Sequence, residues 1–183
     1  MNILLVAAVG ACTVLCAYIV YATQLSQESQ DDRIRLIYKQ LVAASGQSQD
    51  ALPLYINDEL IDNAYNDGSR IVIYRGLINH AESYDEIALV LGHEIAHGML
   101  GHLNQNMPIP EQIPHDGMGD SDMIAVLEAN ADKMGAFYMM KIGYNVCEGR
   151  KLFKYWKQEN GNALGENHPD YSYRYDELNV GCE

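Results

Sequence analysis

Hydrophobic and polar positions divide this chain into stretches of different period. Residues 3–22, "ILLVAAVGACTVLCAYIVYA", carry no charge, and an apolar run of that length suits a helix that crosses a bilayer. After a polar spacer, "DRIRLIYKQLVAA" (32–44) sets Ile34, Ile37, Leu41 and Val42 on one side, as an amphipathic helix does. "LPLYI" (52–56) and "SRIVIYRG" (69–76) read as strands, with a turn at "NDG" (66–68). In "SYDE", Ser83 and Glu86 form a capping box. It opens a helix that the apolar pattern carries to about His102, before the Asn- and Pro-rich loop "NQNMPIPEQIPHDGMGD" (104–120). "DMIAVLEANADKMGAFYMMKI" (122–142) is a second long helix, closed by Gly143 as a left-handed cap. "CEGRKLFKYWKQEN" (147–160) is a third. The tail "GENHPDYSYRYDELNVGCE" begins as a loop and closes in a short helix.

The helix that follows Ser83 contains "LVLGHEIAHGMLGH" (89–102), which places His93, Glu94 and His97 inside an apolar run. One turn apart, the two histidines share a face, so both can bind one zinc ion while Glu94 reaches a water on it. Two core histidines satisfied by backbone carbonyls give the same local pattern, so a third ligand has to decide. A catalytic zinc takes three protein ligands and leaves a fourth position open. A third histidine in the metzincin arrangement needs glycine at 100 and histidine at 103, which hold Leu100 and Leu103. His102, nine residues beyond His93, is turned by about 900° and points to the other side of a continuous helix. The remaining source is a carboxylate on the next long helix. "EANAD" offers Glu128 as ligand, and Asp132 one turn later to accept the distal N–H of a ligating histidine and fix its tautomer. Taken alone, those two acids read as a solvated helix face.

Length and charge narrow the class. At 183 residues the chain suits one domain with a real core. A net charge of −13 argues against a nucleic-acid binder, which needs clustered Lys and Arg. The apolar start lacks the basic n-region of a secretory signal and reads as an uncleaved anchor, with a signal cut at "VYA" (20–22) as the alternative. Domains are therefore expected at 1–24, the membrane helix, and 25–183. Arg33, Arg35 and Lys39 follow the anchor, which by simple counting keeps the domain in the cytoplasm. Cysteine usage leans the other way. Outside the anchor stand Cys147 and Cys182, an isolated pair suited to one disulfide in an oxidising compartment. The expectation is a single-pass membrane protein with its domain extracytoplasmic, periplasmic in a bacterium.

In ordered succession, "NAY" (63–65), "IVIYRGLI" (71–78), "DEIALVLGHEIAHGMLGH" (85–102), "EANAD" (128–132) and "HPDYSYR" (168–174) resemble the gluzincin zinc metallopeptidase family of the HtpX and CAAX prenyl proteases. The resemblance implies an α+β, zincin-like metallopeptidase domain. It would be mostly helical, with a small sheet whose edge strand flanks the active-site helix. It implies one Zn2+ per chain on His93, His97 and Glu128, Glu94 as general base, and Asp132 as the partner behind a ligand histidine. His168, Pro169 and Arg174 match the family's His-Pro pair and following arginine. His168 is then the candidate oxyanion donor, or a plug for zinc's open position, with Arg174 bracing its loop; Tyr171, Tyr173 and Tyr175 are other possible donors.

The reaction so implied is hydrolysis of a peptide bond by Glu-assisted attack of zinc-bound water. The polypeptide would lie extended along an edge strand, for which "RIVIY" is the candidate. With one span where those relatives have several, and no helical-repeat domain after Arg174, the expectation is a minimal, tethered endopeptidase acting on membrane-associated or misfolded proteins. The competing reading is a chaperone-like or binding protein with a plugged zinc site. Gly92, Gly98 and Gly101 each weaken a helix, which points to close packing against a neighbour.

Overall fold

A computed structural model describes residues 16, 23, 29–48, 52–102, 120–160, 170–179 and 182. The chain divides into two compact units, Met1–Leu36 and Ile37–Glu183. Of the expected anchor, 3–22, only Cys16 is described, as helical and exposed; the rest of that stretch lies outside the described residues. Among the described residues no helix is long and apolar enough to cross a membrane.

Helix α1 covers residues 29–45, with 29–36 belonging to the first unit. Ile34, Ile37, Leu41 and Val42, the apolar side read from the sequence, are all buried. Within the second unit, Tyr38 on this helix donates its hydroxyl to the Leu52 carbonyl. The chain then forms three short strands, β1 (Leu54–Asn57), β2 (Ala64–Asn66) and β3 (Ile71–Tyr74). Their order is β1-β3-β2, with β1 parallel and β2 antiparallel to β3. The β2–β3 turn is the expected "NDG": Gly68 takes φ +86°, and its N–H donates to Asn66 Oδ1 at 2.9 Å.

This topology corrects the role expected of "RIVIY". It is the central strand, buried along Ile71–Ile73 and paired on both sides, so no substrate can add to it. The edge strand lying against the H-E-x-x-H helix is β2, tied there by Asn66 Nδ2, which donates to the Glu94 carbonyl at 2.8 Å. At three residues, β2 is too short to show an alternating pattern. The strand expected through Gly76 also stops early, because helix α2 (Arg75–His80) begins directly after Tyr74. That helix has no side-chain cap. Instead the preceding loop supplies carbonyls to its first amides: Gly76 N–H donates to Glu59 O and Leu77 N–H to Ile61 O, at 3.3 and 3.2 Å. Gly76 permits this approach, since a Cβ there would stand 2.3 Å from Ile61 O.

Helix α3 (Tyr84–Met99) starts where the sequence places it. Ser83 accepts from Glu86 N–H at 3.3 Å, and the Glu86 carboxylate accepts from Glu82 N–H at 2.6 Å. Its end differs from expectation. Gly101 is not a helical residue but the left-handed terminator (φ +76°), with its N–H on Gly98 O and that of His102 on His97 O. The helix therefore stops at Met99 and the chain turns back. Helix α4 (Asp120–Lys141) ends by the same device at Gly143, φ +87°. The third expected helix is broken at Arg150 into α5 (Val146–Gly149) and α6 (Lys151–Asn160). Helix α7 (Tyr171–Glu177), capped by Asp170, closes the described chain. Cys147, at the start of α5, is joined in a disulfide to Cys182, beyond α7.

Candidate active site

Helices α3 and α4 cross at a pair of glycines. A Cβ at Gly92 would come within 2.8 Å of Gly135 O, and one at Gly135 within 2.5 Å of His93 N. Backbone therefore rests on backbone, which brings side chains of α4 directly onto the histidine face of α3. The packing expected of Gly92 is here, and its partner Gly135 was equally visible as a glycine in a long helix, where it otherwise costs about 1 kcal/mol.

Three side chains converge as a result. His93 Nε2 and His97 Nε2 lie 2.9 Å apart. Glu128 sends Oε2 to within 3.4 Å of the first and Oε1 to within 3.2 Å of the second. Among the described residues, these are the group of His, Cys, Asp or Glu side chains that could hold a metal ion, with one ligand atom from each lying within 4.8 Å of the others. The donor set fits zinc: two imidazole nitrogens and a carboxylate.

The far side of His93 explains which nitrogen is available. Its Nδ1 lies 2.8 Å from Asp132 Oδ1. A carboxylate can only accept, so Nδ1 carries the proton and Nε2 offers its lone pair toward His97 and Glu128. Asp132 is itself held by Arg174, whose Nε and Nη2 donate to Oδ2 and Oδ1 at 2.7 and 2.6 Å. Both residues are deeply buried, Asp132 at 1% exposure and Arg174 at 6%. Arg174 Nη1 also stands 3.7 Å from Glu128 Oε2. Its guanidinium thus faces two carboxylates, a contact not expected of a residue assigned to brace the His168 loop. His168, Pro169 and that loop lie outside the described residues, as does His115.

Burial and charge set the protonation states. Burial pulls the His93 imidazole below its ordinary range, against the hydrogen bond and charge of Asp132, so it is neutral and able to ligate. Burial would raise Asp132, but the Arg174 charge and the hydrogen bonds from Arg174 and His93 outweigh it and hold the carboxyl below its usual range. In the metal-free protein, burial and then the nearby Glu128 charge push Glu94 up to about 8. A carboxyl so poised near neutral pH suits proton transfer in both directions.

The turn at Gly101 has a second effect. It carries His102 back to the site, where its Nδ1 lies 3.0 Å from His97 Nδ1. The placement of His102 on the opposite side of the helix is thereby overturned, because the helix does not continue far enough to take it there.

Beside His93 and Glu94 opens a cavity of about 160 Å³. Asp62, Asn63 and Ala64 line it from the β2 side, Leu152, Phe153 and Trp156 from α6, and Tyr171 and Arg174 from α7. The stretch 147–160 was legible as a helix, but not as a wall of the cavity beside Glu94.

Residues 28–114 match peptidase family M48, a span that includes β2 and the H-E-x-x-H helix. The mitochondrial metalloendopeptidase OMA1 of Arabidopsis thaliana is 22% identical over 131 residues, 62% of this chain and 27% of that protein. The match thus spans about a quarter of the relative's length. M48 enzymes are metallopeptidases, and the fold adds to the matched helix the carboxylate that such a site needs, from a residue beyond the matched span. Over residues 28–114, then, the chain is similar to peptidase family M48.

Proposed function

We propose that the protein is a zinc metalloendopeptidase in which His93, His97 and Glu128 hold the metal and Glu94 is the general base. The observation that carries this is the convergence of the two Nε2 atoms with the Glu128 carboxylate, on a histidine whose other nitrogen is already fixed by Asp132. A zinc ion on these three residues would supply a Lewis acid for the scissile carbonyl and lower the pKa of a water toward about 7. Glu94 takes a proton from the attacking water and passes it to the leaving amine. Oxygen thus bonds to the carbonyl carbon as the carbon–nitrogen bond breaks. Asp132 keeps His93 in the ligating tautomer, and Arg174 keeps Asp132 ionised and in place.

The substrate is a polypeptide lying extended along β2, the edge strand beside Glu94. His168 is assigned as oxyanion donor or plug from the sequence pattern alone. The Cys147–Cys182 disulfide suits an oxidising compartment, and with 3–22 as anchor the substrates would be membrane-associated or misfolded proteins.

The test is zinc content and cleavage of an unfolded protein by the full chain. One zinc per chain and cleavage abolished by a chelator, restored by zinc, support the reading. Metal-independent cleavage, or zinc bound undiminished after His93 and Glu128 are both replaced by alanine, would refute it.

A further inference from the structure

The cavity beside Glu94 is aromatic and apolar for the most part, yet it keeps a carboxylate that a purely apolar pocket has no use for. Phe153, Trp156 and Tyr171 form a three-ring wall, with centroids 5.6–6.5 Å apart. Asp62 lines the same cavity. Its Oδ2 accepts from Trp156 Nε1 at 3.0 Å and lies 3.2 Å from His80 Nδ1. Its Oδ1 is withdrawn from solvent and has no hydrogen-bond partner among the described residues. A buried carboxylate oxygen without a donor is costly. The cation already lining the cavity does not answer it, because Arg174 directs its donors to Asp132 and lays its guanidinium over Phe153, 4.6 Å from the ring centroid.

We propose that this cavity recognises a basic side chain, lysine or arginine, on a substrate residue flanking the cleaved bond, with Asp62 as the specificity-determining residue. The proposal rests on the peptidase reading for its substrate and extends it to a side-chain preference. The size fits: about 160 Å³ is close to the roughly 150 Å³ of a cavity that holds one benzene ring, so one side chain fills it. Leu89, Val90 and Leu152 receive the aliphatic stem. The ring faces and the negative charge of the Asp62 carboxylate receive the charged end. An acidic side chain meets Asp62 and Glu94, and an apolar one leaves the Asp62 charge without a counter-charge.

Trp156 is the chain's only tryptophan, so its emission reports occupancy without any turnover. The full-length, zinc-loaded protein is titrated with Nα-acetyl-lysine N-methylamide and with its norleucine counterpart, which has a similar stem and no charge. The lysine compound should shift Trp156 emission with an affinity about tenfold higher. Asp62→Asn, which keeps an acceptor for Trp156 and His80, should abolish that difference. Peptides carrying lysine or norleucine on either side of one cleavable bond should show the same ratio in kcat/KM.

Equal or tighter norleucine binding by the unaltered protein overturns the proposal without reference to any variant. So does a lysine preference that survives in Asp62→Asn. Cleavage that favours norleucine would sink the pocket assignment and leave the peptidase reading standing. A lysine-specific emission shift in a protein that cuts no peptide would do the reverse.

Discussion

The two sides of the His93 ring are built on opposite terms. On the Nε2 side, the His97 nitrogen and the Glu128 carboxylate meet with lone pairs and negative charge turned inward. On the Nδ1 side, Asp132 and Arg174 form a closed, charge-matched pair with donors and acceptors in register. The first arrangement calls for a cation from outside the chain; the second supplies its own. The difference teaches how one histidine is made both rigid and available, since the self-sufficient side fixes its position and leaves the other nitrogen to ligate.

The sharpest way to separate the two sides is to disable chemistry while leaving both intact. Glu94→Gln removes the base and no ligand, so turnover should fall by about 10²–10⁴ with zinc content unchanged by elemental analysis. Lost metal, or retained activity, would contradict the role. Breaking the self-sufficient side comes next. Arg174→Met strands the Asp132 carboxylate in the interior, which should cost about 3–5 kcal/mol in denaturant unfolding. It should also weaken zinc by about 10–100-fold in competition with a chelating dye. Arg174→Lys should recover only part of this, since lysine cannot make the two-pronged contact. Wild-type zinc affinity in Arg174→Met would show that the two sides are independent.

How far that comparison was legible in the sequence depends on the range of the interactions involved. His93 with His97, and Glu128 with Asp132, were readable because each pair lies one helical turn apart, and helical spacing is a local property. The caps at Ser83 and Gly143 were readable for the same reason. Arg174 on Asp132 was not, since 42 residues separate them and nothing in either stretch encodes the other. Gly101 was misread because a glycine after an apolar turn looks alike inside a helix and at its end; only the return of His102 to His97 tells the cases apart. Likewise "RIVIY" shows that it is a strand but not whether it has one neighbour or two.

Smaller effects test what holds the two sides together. Replacing Cys147 and Cys182 by serine releases a tether of sequence separation 35 and should lower stability by about 3–4 kcal/mol on the chain-entropy model. An unchanged melting temperature would argue against that contribution. Gly135→Ala puts a methyl 2.5 Å from His93 N and should cost about 1–3 kcal/mol, with zinc affinity reduced alongside. Normal affinity in that variant would show that the crossing tolerates separation.

A separate effect, confined to one pH window, is a pH slope in the metal-free protein. Folded Glu94 keeps its proton up to about 8, against about 4.5 when free. Between those values the native state binds more protons than the unfolded one, so stability should fall as pH rises through that window. Metal-free Glu94→Gln should show a shallower slope, and an identical slope would remove Glu94 as its source.

The long reach of Arg174 also has a consequence for the order in which the protein becomes competent. His93 and Asp132 are 39 positions apart, and Arg174 is 81 from His93. Contacts of such separation form only after distant segments have been brought together. Helix α3 can therefore exist, with its histidines and Glu94 in sequence, well before its ligating nitrogen is fixed. A nascent or partly unfolded chain would carry the motif without the assembled centre, which limits self-cleavage while the polypeptide is still an extended substrate. During refolding, high-affinity zinc uptake should accordingly lag behind helix formation followed by circular dichroism. Simultaneous appearance of the two signals would show that the centre assembles locally instead.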